Sequence, residues 1–142
     1  MDHGGEVLKF IGDGVLAIFP FEAGGAAERA ACQTALAAAR DALKKLNETN
    51  VERTRGGESE IRCGIALHSG DLMYGNVGSA HRLDFTVMGP TVNEVVRLET
   101  LCKRLAVPLI LSEAVAKAAD GDFSFLGEYD LPGIGRAMKV FA

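Results

Sequence analysis

The order of apolar and polar positions divides the chain into segments of different period. Residues 6–10 and 15–21 are short apolar runs separated by Ile11-Gly12-Asp13-Gly14. Asp-Gly between two such runs predicts a tight β-hairpin. Over residues 26–47 the period becomes helical: Ala27, Ala31, Ala35, Ala38, Ala42 and Leu46 recur against Glu28, Arg29, Arg40, Lys44 and Lys45. The spacing predicts an amphipathic helix whose small-residue face packs closely on something flat. Residues 47–59 then turn polar and glycine-rich, which predicts a surface loop and the segment most prone to disorder.

A period of two returns at Ile61, Cys63, Ile65 and Leu67, which alternate with Arg62, Gly64, Ala66 and His68 as in a strand with one buried face. Residues 72–77 and 82–88 read as two more strands joined around Gly78-Ser79. Leu83, Phe85 and Val87 share one face of the second, and Asp84 and Thr86 the other. Pro90 and Thr91 open a second helix with Val92, Val95, Leu98, Cys102 and Leu105 as its apolar stripe. Residues 107–111 predict a strand, and Ser112 caps a short Ala-rich helix to Ala119. Residues 123–129 and 137–141 predict two closing strands around Pro132-Gly133.

The resulting order, β-β-α-β-β-β-α-β-α-β-β, predicts an α+β fold of ferredoxin-like character, a mixed or antiparallel sheet with helices covering one face. A hairpin this apolar at the start reads as though a strand and a helix that should precede it were absent.

Composition narrows the function classes. With 142 residues the chain is long enough for one core and too short for two. The net charge of −4 leaves no electrostatic footprint for a nucleic acid. Its longest apolar stretches, residues 15–21 and 107–111, fall far below the roughly 20 residues that span a bilayer, so no membrane contact is expected from this segment. The opening Asp2-His3-Gly4-Gly5-Glu6 lacks the basic and apolar regions of a secretory signal. Cys32, Cys63 and Cys102, odd in number and without metal-ligand spacing, fit buried thiols in a reducing compartment, and a cytoplasmic location is expected.

Candidate chemistry concentrates in Lys9-Phe10-Ile11-Gly12-Asp13 and in the stretch from Phe85 to Glu99. Taken singly, Asp13 reads as a turn residue, Lys9 as a solvated strand residue and Thr86 as a β-former. Asn93 and Arg97 stand four apart, so they share a helix face that alone reads as solvated.

Together they resemble the catalytic domain of class III nucleotide cyclases, the adenylate and guanylate cyclases. The family's hairpin pattern Lys-x-x-Gly-Asp matches Lys9 to Asp13. Its later signature, Gly-x-x-Val-Asn-x-x-x-Arg-Leu-Glu, matches Gly89, Val92, Asn93, Arg97, Leu98 and Glu99. Gly64-Ile65-Ala66-Leu67-His68-Ser69-Gly70 and Gly75-Asn76-Val77-Gly78 look like its central strand pair. The resemblance runs over almost the whole chain.

It implies an adenylate cyclase-type lyase that makes cyclic AMP and pyrophosphate from ATP for intracellular signalling. Asp13 matches a ligand of the second of two divalent ions, Mg²⁺ or Mn²⁺, in the intact family domain. Arg97 matches the residue that stabilises charge on the phosphates, and Asn93 the one that orients the ribose. Lys9 and Thr86 match the base-selecting pair: a Lys donor and a hydroxyl acceptor complement adenine at N1 and N6. Thr86, where other members carry Asp, resembles a subgroup that often responds to bicarbonate. The family works as a head-to-tail homodimer with sites at the interface, so Lys9 and Asp13 would serve different sites. Such domains are commonly attached to an upstream sensor or regulatory module.

The family's first metal-binding Asp has no counterpart here, in line with the strand and helix that the pattern lacks. Near the C-terminus, Pro132-Gly133 stands where the family usually has a Lys-Gly that reaches the terminal phosphates, with Arg136 as the available substitute. These departures keep a second reading open: a cyclase-like module that binds nucleotide, or pairs with a partner, without turnover. A third, an unrelated ferredoxin-like small-molecule-binding or RNA-binding domain, is opposed by the acidity, the few aromatics and the set Lys9, Asp13, Asn93 and Arg97.

Overall fold

The computed structural model describes residues 3–22, 24–79 and 82–142, with the backbone alone described for Tyr74 and for residues 76–79 and 82–86. The elements follow the expected order: β1 (Glu6–Ile11), β2 (Gly14–Ile18), α1 (Gly25–Arg55), β3 (Ile65–Leu67), β4 (Met73–Ser79), β5 (Arg82–Met88), α2 (Pro90–Leu105), β6 (Leu109–Ser112), α3 (Glu113–Ala119), β7 (Phe125–Asp130) and β8 (Ala137–Phe141).

The strands form three sheets rather than one. β1 pairs with β2 and β4 with β5, each antiparallel, while a four-stranded sheet runs β3-β6-β8-β7. In that sheet β3 lies parallel to β6, and the remaining pairs are antiparallel. Successive residues of β6 face opposite ways, as the strand period requires. Ile110 packs with Leu98, Leu101 and Cys102 of α2 and with Met138 and Val140 of β8. Leu111 packs with Cys32 and Leu36 of α1 and Val115 and Ala119 of α3. Helices therefore cover both faces of this sheet, not the one face expected, because each face of its strands carries apolar side chains.

Three further expectations are corrected. Residues 47–55 continue α1 instead of forming a loop, and the chain after the helix folds back onto its last turns. Asn50 donates from Nδ2 to the Ile61 carbonyl at 2.8 Å and accepts from the Ile61 N–H at 2.8 Å. Arg53 donates from Nε to the Ser59 carbonyl at 2.9 Å and pairs with Glu58 at 2.7 Å. The buried positions of α1 are Cys32, Leu36 and Ala39, one step round from the alanine stripe, because the bulkier side chains claim the core. The strand expected from Ile61 is only three residues long, since Ile61 and Cys63 are exposed and have no strand partner.

Cys63 is thus an exposed thiol, whereas Cys32 and Cys102 are buried as expected. Burial, helped by the charge of Glu99, pushes the Cys102 thiol up to about 11, and burial raises Cys32 as well. Both remain protonated packing groups. Gly78-Ser79 belong to β4, where they pair with Leu83 and Arg82, and do not form the expected connection between β4 and β5; residues 80–81 lie outside the described residues.

α2 lies close on β3 because glycines face it. A Cβ on Gly64 would stand 2.7 Å from the Cys102 Cβ, and one on Gly70 2.7 Å from the Thr91 hydroxyl. These contacts fix where the head of α2 sits.

Candidate functional site

The β1-β2 hairpin closes through a two-residue loop, with Ile11 opposite Gly14. Gly12 takes φ +63° at its first position and Asp13 does not take a positive φ, the type II′ pattern. Asp13 is therefore the exposed tip residue, and Lys9 is exposed on β1 opposite Leu16. β1 lies against β5. Thr86 is placed by its backbone in β5 opposite Gly75, and its side chain lies outside the described set.

α2 begins at Gly89, whose φ of +143° suits glycine, and Pro90 occupies the first helical turn. From this end Asn93 projects, exposed, into a groove of about 360 Å³ lined by Pro90, Asn93, Glu94, Ile134 and Arg136. The far wall is the turn between β7 and β8, closed by the Ile134 N–H donating to the Leu131 carbonyl at 3.0 Å. Gly133 comes so near that a Cβ there would lie 3.9 Å from Asn93 Nδ2. Arg97, one turn beyond Asn93, is half-buried. Its Nε is buried without a hydrogen-bond partner among the described residues.

Asn93 and Arg136 are thus brought to one groove, with Arg97 on the same helix face. Lys9 and Asp13 do not line that groove, so the sequence-expected set falls into two groups on separate elements. Among the described residues no cluster of three or more His, Cys, Asp or Glu is positioned to hold a metal ion. Asp13 is a suitable hard ligand, but one exposed carboxylate does not fit a two-ion site by itself. A divalent site at Asp13 would need further acidic ligands beside it.

At this end of α2, Glu94 had no place in the sequence argument, and His68 and Ser112 entered it only as a strand residue and a helix cap. Glu94 Oε1 accepts from Arg136 at 3.0 Å, and Glu94 Oε2 meets His68 Nε2 at 2.6 Å. His68 Nδ1 meets the Ser112 hydroxyl at 2.9 Å. The side chains of His68 and Glu94 are only 5% and 12% exposed. Burial holds the imidazole below its usual range, against the opposing pull of the Glu94 carboxylate. A polar His-Ser-Gly run and a charged residue beside Asn93 were the only signals in the sequence, and separations of 26 and 44 residues hide the contacts.

Comparison with known proteins returns nucleotide cyclases. No protein-family model matches the chain. An adenylate cyclase from Anabaena cylindrica is 33% identical over 140 residues, covering 98% of this chain and 26% of its own length. Adenylate cyclase 1 of Rhizobium meliloti is 32% identical over 143 residues, covering 98% of this chain and 21% of its own length. The chain therefore spans about a quarter of the length of these relatives. Among solved structures, the guanylyl cyclase Cya2 superposes with a TM-score of 0.76 at 24% identity, over 99% of this chain and 70% of that one. A bacterial light-regulated adenylyl cyclase does so at 0.67 and 26%, over 99% of this chain and 39% of that one. The α+β fold is that of a cyclase catalytic domain.

Proposed function

We propose that this chain, which belongs with the class III nucleotide cyclase catalytic domains, forms cyclic AMP and pyrophosphate from ATP. The carrying observation is the convergence of Asn93 and Arg136 on one groove at the head of α2, with Arg97 a turn further along and its Nε buried without a partner. The ribose 3′-hydroxyl of a nucleoside triphosphate attacks its own α-phosphorus, and negative charge builds on the entering, phosphoryl and leaving oxygens. Catalysis is then mostly positioning plus placement of positive charge. Asn93 orients the ribose, Arg97 stabilises the phosphoryl oxygens, and Arg136 takes the terminal phosphates where the family has a lysine.

Adenylyl and guanylyl cyclases both stand among the structural neighbours, so the choice of base rests on residue chemistry. Lys9 donates to adenine N1 and the Thr86 hydroxyl accepts from N6; guanine presents the reverse at both positions. The reading requires two copies arranged head to tail, with Asp13 of one copy serving a site whose Lys9, Thr86, Asn93 and Arg97 come from the other. Mg²⁺ or Mn²⁺ fits this reading only if further carboxylates complete the site that Asp13 begins. The chain alone is accordingly expected to turn over little. The second reading, nucleotide binding or pairing without turnover, is favoured by that lone carboxylate.

The test is cyclic nucleotide formation from ATP and from GTP by the intact protein with Mn²⁺. Arg97→Ala should lower the rate by about 10²–10³, the usual loss on removing one transition-state donor. Unchanged turnover in that variant would remove the assignment.

A further inference from the structure

We propose that Glu94 and His68 are positioning residues for Arg136: a hydrogen-bonded chain from Ser112 through His68 and Glu94 fixes the guanidinium at the rim of the groove before ligand arrives. This rests on the reading of the groove as a polyphosphate site. Exposed ion pairs are ordinarily adventitious, since two mobile side chains meet in water at little net gain. This one differs at its inner end. Arg136 is 60% exposed, yet its partner Glu94 is 12% exposed and is held in turn by a nearly buried imidazole.

The proton arrangement follows from the partners. The Ser112 oxygen accepts from the Val115 N–H at 3.4 Å, which leaves its own hydroxyl proton for His68 Nδ1. Nε2 then carries the other proton and donates to Glu94 Oε2, so a neutral imidazole satisfies every contact. Desolvation of His68 favours that neutral form, with the Glu94 carboxylate opposing and Arg136 assisting. Glu94 thereby has one oxygen pinned by His68 and the other turned to Arg136. A carboxylate fixed at one oxygen cannot swing, so it holds the guanidinium in one place. Among the described residues Glu94 is the one hydrogen-bond partner of Arg136, which leaves the other guanidinium donors for a ligand in the groove.

An arginine ordered in advance gives up less freedom on binding, worth about three- to tenfold in affinity. Removing Glu94 should cost the ligand that ordering while leaving Arg136 charged. The effect should fall on ligands that reach Arg136 and spare those that do not.

Titration calorimetry of the intact protein with inorganic tripolyphosphate, and separately with AMP, tests this. Glu94→Gln and Arg136→Ala should each weaken tripolyphosphate about three- to tenfold, and the double variant should be no weaker than Arg136→Ala alone. AMP affinity should stay within about twofold in all three. His68→Leu should behave like Glu94→Gln, while His68→Gln, whose amide still donates to Glu94, should retain affinity. Glu94→Gln preserves side-chain shape and His68→Leu breaks the same chain independently, so if one fails to fold the other decides. Wild-type tripolyphosphate affinity in the folded variant, fully additive losses, or an equal loss for AMP would overturn the proposal. Cyclic nucleotide formation by the same samples judges the cyclase reading separately. Coupled binding without product would remove the cyclase and keep the chain; product with uncoupled losses would do the reverse.

Discussion

An imidazole enclosed beside a carboxylate leaves a mark on stability. In the folded chain burial lowers the His68 pKa, so below the ordinary value of about 6.5 the unfolded chain binds protons that the folded one resists. His68 should therefore favour the folded state fully above pH 6.5 and lose that contribution as pH falls toward its folded value. Urea unfolding between pH 7.5 and 5.0 should show a steeper loss in the wild type than in His68→Gln; parallel curves would contradict the desolvation of His68. Base choice is also a matter of single residues. If Lys9 selects the base as proposed, Lys9→Glu should lower the ratio of ATP to GTP turnover at least tenfold, because the proposed donor to adenine N1 becomes an acceptor. Lys9, Asp13, Asn93 and Arg97 stand out in the sequence by their match to the family's motifs, and the structure brings Asn93 to the groove and leaves Lys9 and Asp13 outside it. The contacts joining Glu94, His68 and Ser112 were not legible in the sequence, because they depend on β3 lying beside β6 and α2 crossing that sheet, and neither placement leaves a local pattern.

At the scale of elements, alternation and capping were readable wherever one local force dominates. Ser112 does cap α3, accepting from Val115, and β5 and β8 occupy the residues expected from their alternation. Reading failed where tertiary contacts decide. The last turns of α1 contain Asn47, Asn50 and two threonines, weak helix formers, yet bonds from Asn50 and Arg53 to residues 59 and 61 hold them. The strand pattern from Ile61 did not become a full strand because only residues 65–67 find a partner in β6. The element that fixes the groove is α2, anchored by Leu98, which is fully buried against Ile110 and Val140. Leu98→Ala should destabilise the fold by about 2–5 kcal/mol, read as a lower urea midpoint with an unchanged slope.

At the scale of the whole molecule, the candidate residues sit in two separate groups: Lys9 and Asp13 on the hairpin, Asn93, Arg97 and Arg136 around the head of α2. If sites form between two copies, each draws Asp13 from one chain and Lys9, Asn93 and Arg97 from the other. Asp13→Asn and Arg97→Ala would then be inactive alone, and a mixture should regain roughly a quarter of wild-type activity. That figure follows because half of randomly paired dimers are mixed and each of those carries one intact site of two. Measured activity of equal mixtures decides the matter: no recovery would mean that Asp13 and Arg97 of one chain serve the same site.

Ser112 occupies a position that no tally of site residues would rank highly. It is almost wholly buried, and its one oxygen both closes the first turn of α3 and meets the imidazole behind the groove. Loosening of that short helix would therefore reach the groove without moving any element that lines it. The endurance of a seven-residue helix and the aim of a distant arginine hang on the same atom.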